Sequence, residues 1–292
     1  MTVIILIQLL TATSSLSNTV FAHSHKSSAV LPMQKQQDIT ARFGGLDSKK
    51  LSEIARSITV KVLVGEVSGS GIIIRQAGGV YKVLTNEHVL DRGDKYQIVT
   101  SDGQIYPAFI NKQVKFNGND LALLEFNSNR NYSVASIDSL PSLKVGDEVF
   151  AVGFPQESGE FKFTTGQVTI TTKIALEGGY KLGYTNDIEK GMSGGPVLNN
   201  QGKVVAVNGM HAEPIWGNPY TYEDGSKPCP SMRKLMERSA FGIPIEIFHQ
   251  LADSRLSKLP NTSEKSFPYI SYSTLLLQQQ ASIATSCTSD RN

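Results

Sequence analysis

The stretch GMSGGP at residues 191–196 decides how the rest of this sequence is interpreted, for fold and chemistry alike. It predicts a tight turn around Ser193, because the glycines on both sides allow backbone conformations that other residues avoid. A nucleophilic serine needs such a turn, so that backbone N–H groups can converge on one negatively charged oxygen. Here the N–H groups of Gly191 and Ser193 would form that oxyanion hole. Alone, the same stretch also fits an ordinary tight turn before a strand.

Two further stretches supply residues that would activate a serine. LTNEHVL at 84–90 puts His88 where a strand ends and a short helical turn begins, and NDLALL at 119–124 puts Asp120 before an apolar strand. A histidine can take the serine's proton, and a buried carboxylate can hold that histidine in the required tautomer. The alternatives are a histidine without a catalytic role and an aspartate in a simple turn. The order His, Asp, Ser excludes an α/β-hydrolase esterase, in which the serine precedes the histidine.

Short apolar runs separated by Gly, Asn and Asp fill the middle of the chain. Runs of this length and spacing are typical of an all-β barrel or sandwich. Helical spacing of apolar residues predicts a short helix near 51–57 and another near 244–251, at the end of the domain. Examples of the predicted strands are 58–64, 71–74, 81–85, 96–99, 121–124, 148–152, 167–170 and 203–207.

Together, GSGIII at 69–74, TNEHV at 85–89, NDLA at 119–122 and GMSGGP at 191–196 resemble a trypsin-like serine protease. The resemblance covers roughly residues 55–250, and its compact spacing is similar to the bacterial HtrA/Deg branch. It implies two six-stranded antiparallel β-barrels, chymotrypsin-like, with a short C-terminal helix. It also implies a serine endopeptidase that forms an acyl-enzyme through His88, Asp120 and Ser193. A catalytically silent protein-binding module on the same fold is the alternative.

Substrate preference is a separate hypothesis. Asp187 lies six residues before Ser193, the offset at which trypsins place a carboxylate at the floor of the specificity pocket, and would favour Lys or Arg. The alternative is a solvated loop aspartate. By resemblance, Asn208, Gly209 and Met210 would form one wall of the pocket.

The ends of the chain differ in composition from the middle. Residues 1–22 carry an apolar run followed by VFA at 20–22, which predicts a signal peptide and a secreted or periplasmic protein. We assign 23–50 to a leader or linker, 51–253 to the protease domain and 254–292 to a flexible tail. The tail is too short for the PDZ domain of full-length HtrA proteases, so we expect none. Whether Cys229 and Cys287 pair stays open.

The charges exclude one class of partner. The net charge is +2, and the Lys and Arg residues are scattered rather than clustered, so no nucleic-acid surface is indicated. We expect polypeptide substrates, no stable membrane span, no cofactor and no metal ion. The sequence does not determine the oligomeric state.

Overall fold

The computed structural model describes residues 45–138, 143–212 and 220–253. Helix α1, Ser48–Ile58, opens this part of the chain; the Asp47 side chain accepts a hydrogen bond from Lys50 N at 2.8 Å and so caps its first turn. The helix therefore begins before the predicted domain boundary at residue 51. The predicted signal peptide, most of the leader, the tail after residue 253 and Cys287 lie outside the described residues.

Six strands form the N-terminal barrel, a closed antiparallel sheet. The strands are β1 Thr59–Val64, β2 Val67–Ala77, β3 Val80–Thr85, β4 Tyr96–Val99, β5 Ile105–Ile110 and β6 Ala122–Asn127. Their spatial order in the sheet is β1-β2-β3-β6-β5-β4. In β1, Val60, Val62 and Val64 are buried while Lys61 and Leu63 are half-buried, which is the alternation expected of a strand with one face on a core.

Six more strands form the C-terminal barrel, which is also closed and antiparallel. The strands are β7 Glu148–Gly153, β8 Lys162–Leu176, β9 Tyr180–Tyr184, β10 Pro196–Leu198, β11 Val204–Met210 and β12 Ala240–Pro244. Their spatial order in the sheet is β10-β11-β12-β9-β8-β7. The barrel interior is filled by small and branched residues such as Val149, Ala151 and Val205.

The helices are short. Helix α2, Glu87–Leu90, follows β3; α3, Pro230–Met236, precedes β12; and α4, Ile245–Phe248, continues into a π-helical turn at His249–Asp253. None of the helices in the described ranges is long and apolar enough to cross a membrane. Two six-stranded antiparallel barrels with a short C-terminal helix confirm the predicted fold class.

A third apolar cluster joins the two barrels. It contains buried residues from both, such as Ile72 and Leu84 on one side and Phe150 and Phe241 on the other. Because this shared core fixes one barrel against the other, residues at the facing strand ends can be held in a constant geometry. His88, Asp120 and Ser193 all lie at those facing ends.

Candidate active site

His88 lies in α2, one residue into the helix that follows β3. The turn before it is fixed by buried side chains, because Thr85 Oγ1 donates to Ser70 O at 2.7 Å and Asn86 Nδ2 donates to Asp120 O at 2.7 Å. The His88 side chain remains 44% exposed. The turn that precedes the histidine is therefore fixed, while the His88 side chain stays partly exposed to solvent.

Asp120 lies just before β6 and accepts two hydrogen bonds from His88. Its Oδ1 accepts from the backbone N–H of His88 at 2.9 Å, and its Oδ2 lies 2.6 Å from His88 Nδ1. Its own N–H donates to Gly178 O at 2.9 Å. The carboxylate side chain is only 17% exposed. We call His88 and Asp120 the acid–base pair.

The acid–base pair sets the protonation state of the carboxyl group. Burial alone would raise the pKa of Asp120, but hydrogen bonds and charge from His88, with a hydrogen bond from Tyr180, outweigh it. The pKa of Asp120 therefore lies below its ordinary value, and the carboxylate is ionised at neutral pH. An ionised carboxylate bonded to Nδ1 requires the proton to be on that nitrogen, which leaves Nε2 as the basic atom of a neutral ring.

Ser193 lies in a turn of residues 189–195 that we call the serine turn. Backbone bonds tie this turn to β11, because Gly194 N donates to Asn208 O at 2.8 Å and Asn208 N donates to Gly195 O at 2.9 Å. A further bond runs from Ser70 N to Ser193 O at 2.8 Å. Ser193 Oγ donates to Gly209 O at 3.2 Å, and among the described residues it has no hydrogen bond to His88.

Hydrogen bonds to two backbone carbonyls within the serine turn orient the peptide groups that contain them. Gln156 N donates to Lys190 O at 2.8 Å, and Ser70 Oγ donates to Gly191 O at 2.8 Å. Because the N–H and C=O of a trans peptide point in opposite directions, the N–H of Gly191 points away from Gln156. Gly191 has φ +97°, a conformation that favours glycine. Over the described part of the chain, neither Gly191 N nor Ser193 N donates to another residue.

The residues predicted to form a specificity pocket do not share one environment. Asp187 is on the surface: its side chain is 80% exposed and its carboxylate lies 2.5 Å from Lys162 Nζ, which also pairs with Glu189. This placement does not support a carboxylate at a pocket floor, because such a group would be buried and unpaired. An offset of six residues between an aspartate and the serine does not by itself fix the direction of the aspartate side chain, because the loop between them can follow a different path in each protein.

Asn208, which is predicted to belong to a pocket wall, has a buried side chain. It is fully buried, its Oδ1 accepts from Tyr184 Oη at 2.6 Å, and its Nδ2 donates to Met192 O at 3.1 Å. Its side chain therefore holds the serine turn instead of facing a substrate. Gly209 and Met210 continue β11 beside Ser193, and both are half-buried.

Two site residues were missed by the sequence analysis. Ser70 is buried and its hydroxyl accepts from Phe154 N at 2.9 Å while donating to Gly191. Tyr180 donates a short hydrogen bond to Asp120 Oδ2. Ser70 lies in the GSGIII stretch that carried the resemblance, which could have pointed to it, whereas nothing near Tyr180 in the sequence did. No group of three or more His, Cys, Asp or Glu able to hold a metal ion occurs in residues 45–138, 143–212 and 220–253.

Comparison with known proteins gives matches over the same region. Residues 69–207 match the family model of the trypsin-like peptidase domain. The chain is 32% identical over 154 residues to a probable periplasmic serine endoprotease DegP-like of Buchnera aphidicola subsp. Baizongia pistaciae, covering 51% of this chain and 32% of that protein. It is 26% identical over 188 residues to the serine endoprotease DegS of Salmonella typhimurium, covering 63% of this chain and 47% of that protein.

Among solved structures, the serine endoprotease from Yersinia pestis matches with a TM-score of 0.54 and 24% identity, over 72% of this chain and 66% of that one. This likeness supports the fold. The chain spans between about a third and a half of the length of the curated relatives it matches. Residues 69–207 of this chain are therefore similar to the trypsin-like peptidase domain, and the same region is similar to proteins named DegP-like and DegS serine endoproteases.

Proposed function

We propose that this protein is a serine endopeptidase in which Ser193 is the nucleophile, His88 the general base and acid, and Asp120 the residue that orients His88. The observation that carries the proposal is the 2.6 Å contact between His88 Nδ1 and Asp120 Oδ2. It keeps the proton on Nδ1 and leaves Nε2 free to accept the serine's proton. The relatives named as serine endoproteases support the same reaction class.

In the first half of the reaction, Ser193 Oγ forms a bond to the carbonyl carbon of the scissile peptide while His88 Nε2 takes the hydroxyl proton. The carbonyl oxygen becomes negatively charged, and the N–H groups of Gly191 and Ser193 donate hydrogen bonds to it. The C–N bond then breaks, and His88 gives its proton to the leaving amine. The product is an ester between Ser193 and the acyl half of the substrate.

In the second half, water replaces the amine. His88 takes a proton from the water as its oxygen attacks the ester, and the C–Oγ bond breaks. The proton returns from His88 to Ser193 Oγ and the acid product leaves. The hydrogen bond that Ser193 Oγ makes to Gly209 O is long, at 3.2 Å, so giving it up for His88 costs little.

The relatives' printed names also support a compartment and a substrate class. The Buchnera relative is named a probable periplasmic endoprotease, and the chain begins with the apolar run that predicts a signal peptide. We infer that this protein acts on polypeptides in the periplasm. Cell fractionation followed by N-terminal sequencing tests this: a full-length cytoplasmic chain would contradict it.

The activity is tested by cleavage of an unfolded protein such as casein by the purified chain. We expect Ser193→Ala to lower the rate by about 10⁴-fold or more, because no other group replaces the attacking oxygen. Ser158→Ala is the matched control: this serine is exposed and its hydroxyl only accepts a bond from Glu160 N. A wild-type protein that cleaves no faster than Ser193→Ala would favour the silent binding module.

A further inference from the structure

Tyr180 reaches from one barrel to the other. It begins β9 in the C-terminal barrel, yet its hydroxyl donates a short hydrogen bond to Asp120, which precedes β6 in the N-terminal barrel. We propose that Tyr180 is a positioning residue for Asp120, and that the missing side chain at Gly209 is what leaves room for its hydroxyl. This inference rests on the proposed function, since it concerns the residue that orients the general base.

The contact completes the set of donors around the carboxylate. Oδ1 of Asp120 accepts from the backbone of His88, and Oδ2 accepts both from the His88 ring and from Tyr180. A carboxylate oxygen has two lone pairs, so Oδ2 is fully used by these two donors. Three donors on two oxygens fix the rotation of the carboxylate plane, and with it the direction of the histidine ring.

Gly209 is required for space and not for backbone conformation, because its φ is not positive. A Cβ atom at this position would overlap Tyr180 Oη, and it would lie 2.8 Å from Tyr180 Cε1 and 3.0 Å from Asn86 Nδ2. Any side chain on residue 209 would therefore push the tyrosine hydroxyl away from Asp120. Gly209 and Tyr180 therefore act together in positioning Asp120, although they come from different strands.

The protonation states suit this role. Burial, together with the charge of Asp120 and a smaller effect of Tyr184, raises the pKa of Tyr180 well above its ordinary value. The hydroxyl is therefore protonated at neutral pH and can only donate to the ionised carboxylate. The groups that act on the Asp120 carboxylate are His88, through charge and hydrogen bonds, and Tyr180, through a hydrogen bond.

Removing the hydroxyl has a consequence that a packing role would not have. In Tyr180→Phe, the negative charge of Asp120 is no longer shared with a second donor on Oδ2 and concentrates on the bond to His88. The protonated ring is then favoured, so the acidic limb of the pH profile of kcat/KM moves to higher pH. The loosened carboxylate lowers kcat by about tenfold, while KM changes by less than about twofold.

The test measures kcat, KM and the pH profile of the full chain for wild type, Tyr180→Phe and the control Tyr81→Phe. Tyr81 is also buried and donates to Arg130 O at 2.9 Å, but it lies in the core of the N-terminal barrel. We expect Tyr81→Phe to lower stability without moving the profile. A Tyr180→Phe profile that coincides with wild type would overturn the inference.

Gly209→Ala tests the same packing of Tyr180 against Gly209 by changing the glycine instead of the tyrosine. It replaces Tyr180→Phe as the test if that variant does not fold. The added methyl displaces the hydroxyl, so we expect a loss of kcat and a shifted profile. The loss should be smaller in the Tyr180→Phe background, where the closest overlapping atom is absent. An equal loss of kcat in both backgrounds would contradict the inference that Gly209 acts through Tyr180.

One readout separates this inference from the proposed function. Proton NMR of the His88 Nδ1–H hydrogen bond to Asp120 needs no substrate, and its low-field resonance should shift or broaden in Tyr180→Phe but not in Tyr81→Phe. A wild-type protein without peptidase activity would overturn the proposed function, and the resonance would still decide the inference. An unchanged resonance in Tyr180→Phe would overturn the inference in an active enzyme.

Discussion

The acid–base pair and the serine turn are held in place by different kinds of contact. Side-chain groups fix His88 and Asp120, namely the carboxylate, the imidazole and the hydroxyl of Tyr180. Backbone groups fix the serine turn, through bonds from Gly194 and to Gly195 that tie it to β11. The pair therefore depends on the chemical identity of its side chains, whereas the turn depends mainly on backbone bonds and on glycines, with further bonds from the side chains of Ser70 and Asn208.

Gly194→Ala should break the serine turn and have the largest effect. Gly194 has φ +86°, and a Cβ there would overlap the Ser70 carbonyl oxygen and the Thr85 hydroxyl. We expect the free energy of unfolding to fall by about 3 kcal/mol or more, from backbone strain and overpacking combined. Urea unfolding in a Ser193→Ala background measures this without self-cleavage, and a casein assay in the active background should show no activity.

The matched control for that prediction is Gly103→Ala. Gly103 has φ +78°, but a Cβ added there would meet no atom of the described residues within 4 Å, so only the conformational cost of about 1 kcal/mol applies. Activity should be unchanged. Equal costs at Gly103 and Gly194 would mean that close packing does not shape the serine turn.

Ser70→Ala should damage the serine turn by removing a side chain, because this turn is held by the Ser70 hydroxyl as well as by backbone bonds. Its hydroxyl donates to Gly191 O at 2.8 Å and accepts from Phe154 N at 2.9 Å. Losing both leaves the buried carbonyl of Gly191 and the N–H of half-buried Phe154 unpaired, at a cost of about 2 kcal/mol. Because Gly191 carries an oxyanion-hole amide in the proposed mechanism, kcat should fall about tenfold.

Ser239→Ala is the control for Ser70→Ala. Ser239 is also fully buried, donates to Leu235 O at 2.9 Å and lies 2.7 Å from Thr169 Oγ1. It should lose comparable stability and keep its kcat, as measured by thermal unfolding and peptide hydrolysis. If Ser70→Ala also kept its kcat, Ser70 would be a packing residue only.

The acid–base pair should show its chemical dependence in acid. The pKa of Asp120 is lower in the folded chain than in the unfolded one, so this carboxylate stabilises the fold above the unfolded pKa of about 3.9 and loses that contribution as pH falls through the folded value. Asp120→Asn lacks this dependence. In a Ser193→Ala background, the difference in unfolding free energy between the chain with Asp120 and its Asp120→Asn variant should shrink below about pH 4. A constant difference from pH 7 to the acid limit would contradict it.

Asp187→Asn should have the smallest effect. The Asp187 carboxylate is exposed and pairs with Lys162 at the surface, where such pairs contribute little. We expect the ratio of kcat/KM for peptides with Lys and with Leu at the cleaved residue to change by less than about threefold. Fluorogenic peptides measure this, and a loss of basic preference of more than about tenfold would restore the pocket role.

Much of the fold could be predicted, and candidates for the catalytic residues could be chosen, because their signals are local. Ser193 lies among glycines, and His88 and Asp120 stand at strand ends, so short stretches point to all three as candidates. Strands β5, β9, β10 and β12 have no counterpart among the predicted runs. Pro107 interrupts the pattern of β5, and β10 has only three residues. The pocket role of Asp187 stays a prediction, because counting residues along a loop does not fix the direction of a side chain.

The remaining contacts are long-range and leave no local pattern. Tyr180 meets Asp120 across 60 residues, and Ser70 meets Gly191 across 121. Each depends on how two closed barrels pack against each other, which no short stretch specifies. The bond from the buried Asn208 side chain to Met192 O, across 16 residues, is a further contact that no short stretch specifies.

In the proposed mechanism the acid–base pair activates Ser193, and reaction with a fluorophosphonate probe reports on that activation. Only a serine whose proton is removed by a neighbouring base reacts with such a probe at neutral pH. Mass spectrometry of the labelled wild-type chain should find the phosphonyl group on Ser193, and His88→Ala should remain unlabelled. A wild-type chain that stays unlabelled, or that carries the group on another serine, would contradict the proposed role of Ser193 as the activated nucleophile.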